Sequence, residues 1–164
     1  MKKRGAIEIS FGMIFSIIII AFLISVAVYI IYTFMGLGKC TEIGLFYQEL
    51  QKSVDKAWSS DKTQKPFEIK VTKGIEKVCF GNLSLSSSSE SKKIQDELKK
   101  EVVNAKNSNV FLYPTKKACD SQAVHYKISR SITDNFFCVD INSGKSQVIL
   151  SKEITDSLVK IKND

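Results

Sequence analysis

Between Ile9 and Leu37 the chain carries no charged residue. The stretch from Phe11 to Met35 alone holds eight Ile, four Phe, two Val and one Leu. At the bilayer centre each such side chain favours insertion by about 0.3–0.6 kcal/mol, so the sum is several kcal/mol. Roughly 20 apolar residues cross the hydrocarbon core as a helix, and this run exceeds that length. The expectation is a transmembrane helix over 7–37. The alternative is a cleaved secretory peptide, which has an apolar core of about 7–15 residues and a small-residue cleavage site. Here the run is too long, and Tyr32-Thr33-Phe34-Met35 is a poor match to that site. Lys2, Lys3 and Arg4 precede the run. The positive-inside rule then places a basic leader, residues 1–6, in the cytoplasm and the C-terminal domain beyond the span outside it.

Past the apolar run the pattern changes from all-round to one-sided. Cys40, Ile43, Tyr47, Leu50, Val54 and Ala57 recur at alternating spacings of three and four, with Phe46 and Trp58 alongside. That spacing predicts one face of a helix, opposite Glu42, Glu49, Gln51, Lys52, Asp55 and Lys56. A single helix from Ile7 to Ser59 is expected, with an amphipathic extension over 38–60. Gly36, Gly38 and Gly44 weaken it by about 1 kcal/mol each relative to Ala. Two helices joined by a short loop are the alternative.

The remaining residues, 61–164, read as an α+β head. Alternation over Phe67–Val71 predicts a half-buried strand, and a turn at Thr72-Lys73-Gly74 leads to a second strand over 75–80. The Ser-rich segment 81–91 reads as a flexible exposed loop and 91–104 as a helix bearing Ile94, Leu98 and Val102. Strands are expected at 110–113 and 123–129. Phe136–Ile141 and Gln147–Leu150 read as a hairpin closed by Asn142-Ser143-Gly144-Lys145. Ser151 reads as the cap of a last helix carrying Ile154, Leu158 and Ile161. The fold class expected is therefore a long helix whose amphipathic part packs on a small antiparallel sheet.

Charge and cysteine content bound the chemistry. The net charge is +7, but Lys and acids interleave as in KSVDK and IQDELKKE, which marks a solvated surface. No basic stripe interleaved with aromatics points to nucleic acid. Cys40, Cys79, Cys119 and Cys138 all follow the span, without a Cys-x-x-Cys pair. An even number in an exported domain predicts disulfides, with three connectivities open. His125 is the one histidine, so neither a zinc site nor a serine triad is assembled by the pattern. Asp120, Asp134, Asp140 and Glu76 show no spacing that singles out a glycosidase pair. Ser143-Gly144-Lys145 lacks the upstream glycine of a P-loop. No catalytic, cofactor-binding or metal residue and no small-molecule substrate is inferred. Asn82-Leu83-Ser84 is an N-glycosylation sequon.

Lys2-Lys3-Arg4-Gly5 followed by Ala6-Ile7-Glu8-Ile9-Ser10-Phe11, then a long apolar helix continued as an amphipathic one, resembles archaeal type IV pilins with class III signal peptides. The stretch KRGAIEISFGMIFSIIII also resembles the start of small archaeal single-span proteins. The resemblance implies cleavage between Gly5 and Ala6 on the cytoplasmic side. It also implies an assembly contact for Glu8, the acid that meets a neighbouring subunit's N-terminal amine. In the family that Glu lies about five residues past the cut, whereas Glu8 is third, and Ala6 stands where Gln is usual. The match is specific over the first ~35 residues and only architectural beyond. The function expected is a non-catalytic, membrane-anchored pilin-like subunit. Its partners would be the lipid bilayer and like subunits or other envelope proteins. The alternative is a single-pass surface interaction protein that does not polymerise.

Overall fold

A computed structural model describes residues 11–102, 105–141 and 145–163, with the side chains of 35–37 and 145 left aside. The chain divides between Leu37 and Gly38 into two units. Helix α1 (Phe11–Trp58) is assigned without interruption, so the two-helix alternative is not adopted. The predicted start at Ile7 lies outside the described residues.

In the first unit the helix is exposed on every side, from Phe11 at 84% to Phe34 at 69%. Three hydroxyls turn back on the helix. Ser16, Ser25 and Thr33 each donate to the carbonyl four residues earlier, at 2.8, 2.8 and 3.0 Å. A hydroxyl satisfied in this way needs no water.

The second unit is α+β. One sheet has the order β1 (Thr63–Lys70), β7 (Lys145–Lys152), β8 (Val159–Asn163), β5 (Ser131–Ile132). The other has the order β4 (His125–Tyr126), β3 (Val110–Tyr113), β2 (Lys77–Phe80), β6 (Phe137–Asp140). All pairings are antiparallel except β5 with β8. Helix α2 (Ser89–Glu101) lies between β2 and β3 in sequence. The expected single sheet is thus two.

The larger core joins the α1 stripe to both sheets. Ile43, Leu50 and Val54 pack in one cluster with Ile69, Val148 and Leu150 of the first sheet and Val78, Phe80 and Leu112 of the second. Each such buried aliphatic side chain contributes about 1.5–3 kcal/mol. A smaller core sits on the opposite face of the second sheet, where Cys79, Phe111 and Phe136 meet Ile94 and Leu98 of α2. Strands β2 and β3 therefore bury both faces. This is why VCF and VFLY read as continuous apolar runs rather than as alternation.

Four expectations are corrected. Phe136–Ile141 and Gln147–Leu150 do not form a hairpin, because β6 pairs with β2 while β7 pairs with β1 and β8. A disulfide, Cys79–Cys138, spans the β6–β2 pair. Strands β1 and β2 likewise flank a turn yet belong to different sheets. The last helix is instead β8, with β7 running on through Lys152. Val159 and Ile161 are buried with Lys160 between them, a period of two, whereas Ile154 is 77% exposed. The segment 123–129 contributes only the two-residue β4, and β5 was not anticipated. Pro66 falls within β1, an edge strand, where a missing N–H is tolerated.

Candidate functional site

Two features of the molecule carry functional information: the apolar first part of α1, and the way the head is fastened to the second part. Among the described residues one helix is long and apolar enough to cross a membrane, and no residue of its most apolar window is buried. The predicted leader residues Gly5 and Ala6 and the predicted assembly contact Glu8 lie outside the described residues.

Fastening begins with the stripe. Ile43, Phe46, Tyr47, Leu50, Val54 and Ala57 are all buried, and Cys40 is half-buried. Cys40 pairs with Cys119 at a Cα–Cα distance of 5.2 Å. Cys79 pairs with Cys138, which stands directly across the strand ladder from it. The first bond ties the helix to the segment after the 3-10 turn Thr115–Lys117, and the second staples two strands over the smaller core. Each closes a long loop, 79 and 59 residues in sequence, so each removes much unfolded-state entropy.

Polar contacts follow the same helix. The Tyr47 hydroxyl donates to the Ala123 carbonyl at 2.9 Å, and its ring stacks on Tyr126. Burial pushes that phenol far above its ordinary pKa, so it stays a neutral donor. Gln51, read as solvent-facing, instead accepts from the Ser129 N–H at 2.8 Å and donates to the Ser129 carbonyl. Asp55 holds Arg130 at 3.3 Å. The Arg130 guanidinium lies 4.2 Å from the centre of the Trp58 ring, and the Trp58 indole N–H donates to the Ser157 carbonyl at 3.0 Å. Lys152 donates to the carbonyls of Trp58 and Ser60, satisfying acceptors left open where the helix ends. This set was not found from sequence. Only the positions of Gln51 and Asp55, next to the stripe at i+1 from Leu50 and Val54, hinted at it.

The Ser-rich segment is not the free loop expected. The buried Gln95 side chain donates to the Leu83 and Leu85 carbonyls and accepts from Ser87. Ser86 bonds Asn135, Ser88 caps α2 by accepting from the Ser91 N–H, and the Ser91 hydroxyl accepts from the Cys138 N–H. Short polar side chains thus take up backbone groups that would otherwise lack partners. Gly81 leads into this segment at φ 113°, where a Cβ would fall 2.8 Å from the Thr133 hydroxyl. Only glycine fits there.

Groups with catalytic residue types are scattered. His125 Nδ1 meets the buried Ser108 hydroxyl at 2.8 Å, a contact inside the fold that adjoins no orienting acid among the described residues. Asp120 accepts from the Ala123 N–H, and Asp140 pairs with Lys77. Cys40, Cys119 and Asp120 converge, but both sulfurs are spent in the disulfide and offer no thiolate to a metal. The Tyr113 phenol is raised by its hydrogen bond to the Glu97 carboxylate, then by burial and by neighbouring acids.

Comparison with protein-family models, with curated proteins and with solved structures finds no match for this chain.

Proposed function

We propose that this chain is a membrane-anchored, non-catalytic subunit of a pilin-like assembly, with its N-terminus in the cytoplasm and its head outside. The observation that carries the reading is α1 itself. Its first part is apolar all round and buried against nothing, and the same helix goes on to supply the central stripe of a two-disulfide head. An all-round apolar helix suits lipid or the helices of like subunits, whereas a stripe suits a protein core. Disulfides suit an oxidising compartment, in keeping with an exported head. The basic Lys2-Lys3-Arg4-Gly5 start adds the processing signal.

The mass of the mature chain taken from membranes tests the reading. A chain beginning at Ala6 supports it, and an intact Met1–Gly5 counts heavily against it. Protease applied to intact cells tests the orientation, since a head outside the cytoplasm is digested and one inside is not. A surface protein that binds another envelope component without polymerising is the second reading, favoured by Glu8 standing third rather than fifth after the cut. It predicts an uncleaved chain that remains a monomer or small oligomer in detergent.

A further inference from the structure

We propose that Asn82 accepts an N-linked glycan whose first sugar rests in the cleft beside it. The proposal depends on the head being outside the cytoplasm, as proposed above. Of the seven asparagines in the chain, Asn82 alone begins an Asn-x-Ser/Thr triplet. The triplet is folded as a tight unit. Asn82 Oδ1 accepts both the Ser84 N–H, at 2.9 Å, and the Ser84 hydroxyl, at 2.8 Å. Two donors on the amide oxygen stabilise its polarised form and anchor the side chain with Nδ2 turned the other way. Nδ2 carries two hydrogens, and one is donated to the Lys106 carbonyl at 3.2 Å. Replacing the second hydrogen leaves that bond in place, so the folded head tolerates the modification at this atom.

That cleft has a volume of about 680 Å³ and is lined by Leu83, Lys99, Val102, Ala105 and Lys106 beside the triplet. Apolar Leu83, Val102 and Ala105 match the C–H face of a pyranose, and the lysine stems add apolar walls beneath charged tips. In the transfer step Nδ2 attacks the anomeric carbon of a lipid-phosphate-linked oligosaccharide. The C–N bond forms, and the proton lost from Nδ2 passes to water. The bond from the anomeric carbon to the phosphate oxygen breaks, and the lipid phosphate leaves with the electron pair.

Mass spectrometry of peptides from the full chain, purified from the membranes of cells that make it, reads the site directly. A glycan on the Asn82 peptide is expected, lost completely in Asn82→Gln and in Ser84→Ala and retained in Ser84→Thr. Glu153→Asn supplies a control by creating an Asn-Ile-Thr triplet in an exposed turn. Modification of that control with a bare Asn82 overturns the site while leaving the export reading intact. Two bare sites on a head that external protease digests also overturn it. Two bare sites on a protected head overturn the export reading and the site together. For the cleft, glycosidase should release the sugar at least tenfold more slowly from the folded chain than from the denatured one. Equal rates would remove the seat.

Discussion

Phe11–Phe34 and Cys40–Trp58 belong to the same helix and share a liking for Ile, Leu, Val and Phe, yet they treat those residues in opposite ways. In the first stretch every side is apolar and exposed, and Ile17, Ile18, Ile19 and Ile20 stand in succession around the axis. In the second, the apolar residues fall on one stripe that is almost entirely buried, with Leu50 and Val54 at 0% exposure. The angular width of the apolar surface tells the two apart, not its total amount. A stripe suits a partner made of protein, whereas an all-round apolar surface suits lipid or the helices of other chains. Substitutions matched across the two stretches test that division.

The largest difference is expected from truncation. Leu50→Ala removes fully buried atoms from the larger core and should lower the head's unfolding free energy by about 2–5 kcal/mol. Ile20→Ala should leave it unchanged within about 0.5 kcal/mol, as at exposed sites generally. Urea titrations of both variants in detergent, followed by tryptophan fluorescence of Trp58, give the numbers. Equal losses would erase the distinction between the stretches. Next comes the clasp at the start of the second stretch. Replacing Cys40 and Cys119 together by Ser should cost the head about 2–4 kcal/mol. No comparable cross-link acts on the first stretch, so its partitioning into membranes should be untouched. The reverse experiment places a charge in the first stretch. Ile20→Lys should work against insertion by about 2.5–3.5 kcal/mol. Gln48→Lys, on the exposed side of the second stretch, should do nothing. Carbonate extraction of membranes separates these outcomes.

The two stretches were also unequally legible. Both were readable in outline, because helix periodicity is local: six buried positions from Ile43 to Ala57 follow from spacing alone. Strand pairing is not local. Asn142-Ser143-Gly144 invited a hairpin, and nothing within ten residues says that Cys138 is bonded to Cys79 or that β6 lies in the other sheet. The final segment misled for a related reason. Ile154, Leu158 and Ile161 fit a helical spacing, and the signal that mattered was the shorter alternation Val159-Lys160-Ile161 beside β7. The Ser-rich segment looked free because its composition favours loops. Its order comes from Gln95, twelve residues beyond Leu83, whose side chain holds two of its carbonyls. For the candidate site, residue types and the long apolar helix were readable in the sequence, while disulfide connectivity and the polar latch around Trp58 depend on contacts across 59 to 99 residues.

The smallest effect concerns pH, and it separates the stretches most cleanly. Nothing between Ile9 and Leu37 titrates in acid, since the segment has no Asp, Glu, His, Lys or Arg. Membrane association through that stretch should therefore stay flat on acidification. The end of the second stretch is different. Trp58 is held by the Ser157 carbonyl, in a turn where the Glu153 N–H donates to the Asp156 carboxylate at 3.1 Å. That hydrogen bond, aided by Lys160, holds the Asp156 carboxyl below its ordinary range. A carboxyl lowered in the folded state contributes stability above its unfolded pKa of about 3.9 and loses it as pH falls through the folded value. Acidification from about pH 5 downward should thus loosen the turn and release the Trp58 indole, and salt should weaken the effect because Asp156 is near the surface. In Asp156→Asn the Tm of the head should fall less steeply over this range than in the unaltered chain, with the two curves converging at the acid end. Parallel curves would show that the turn does not couple acid to the helix end.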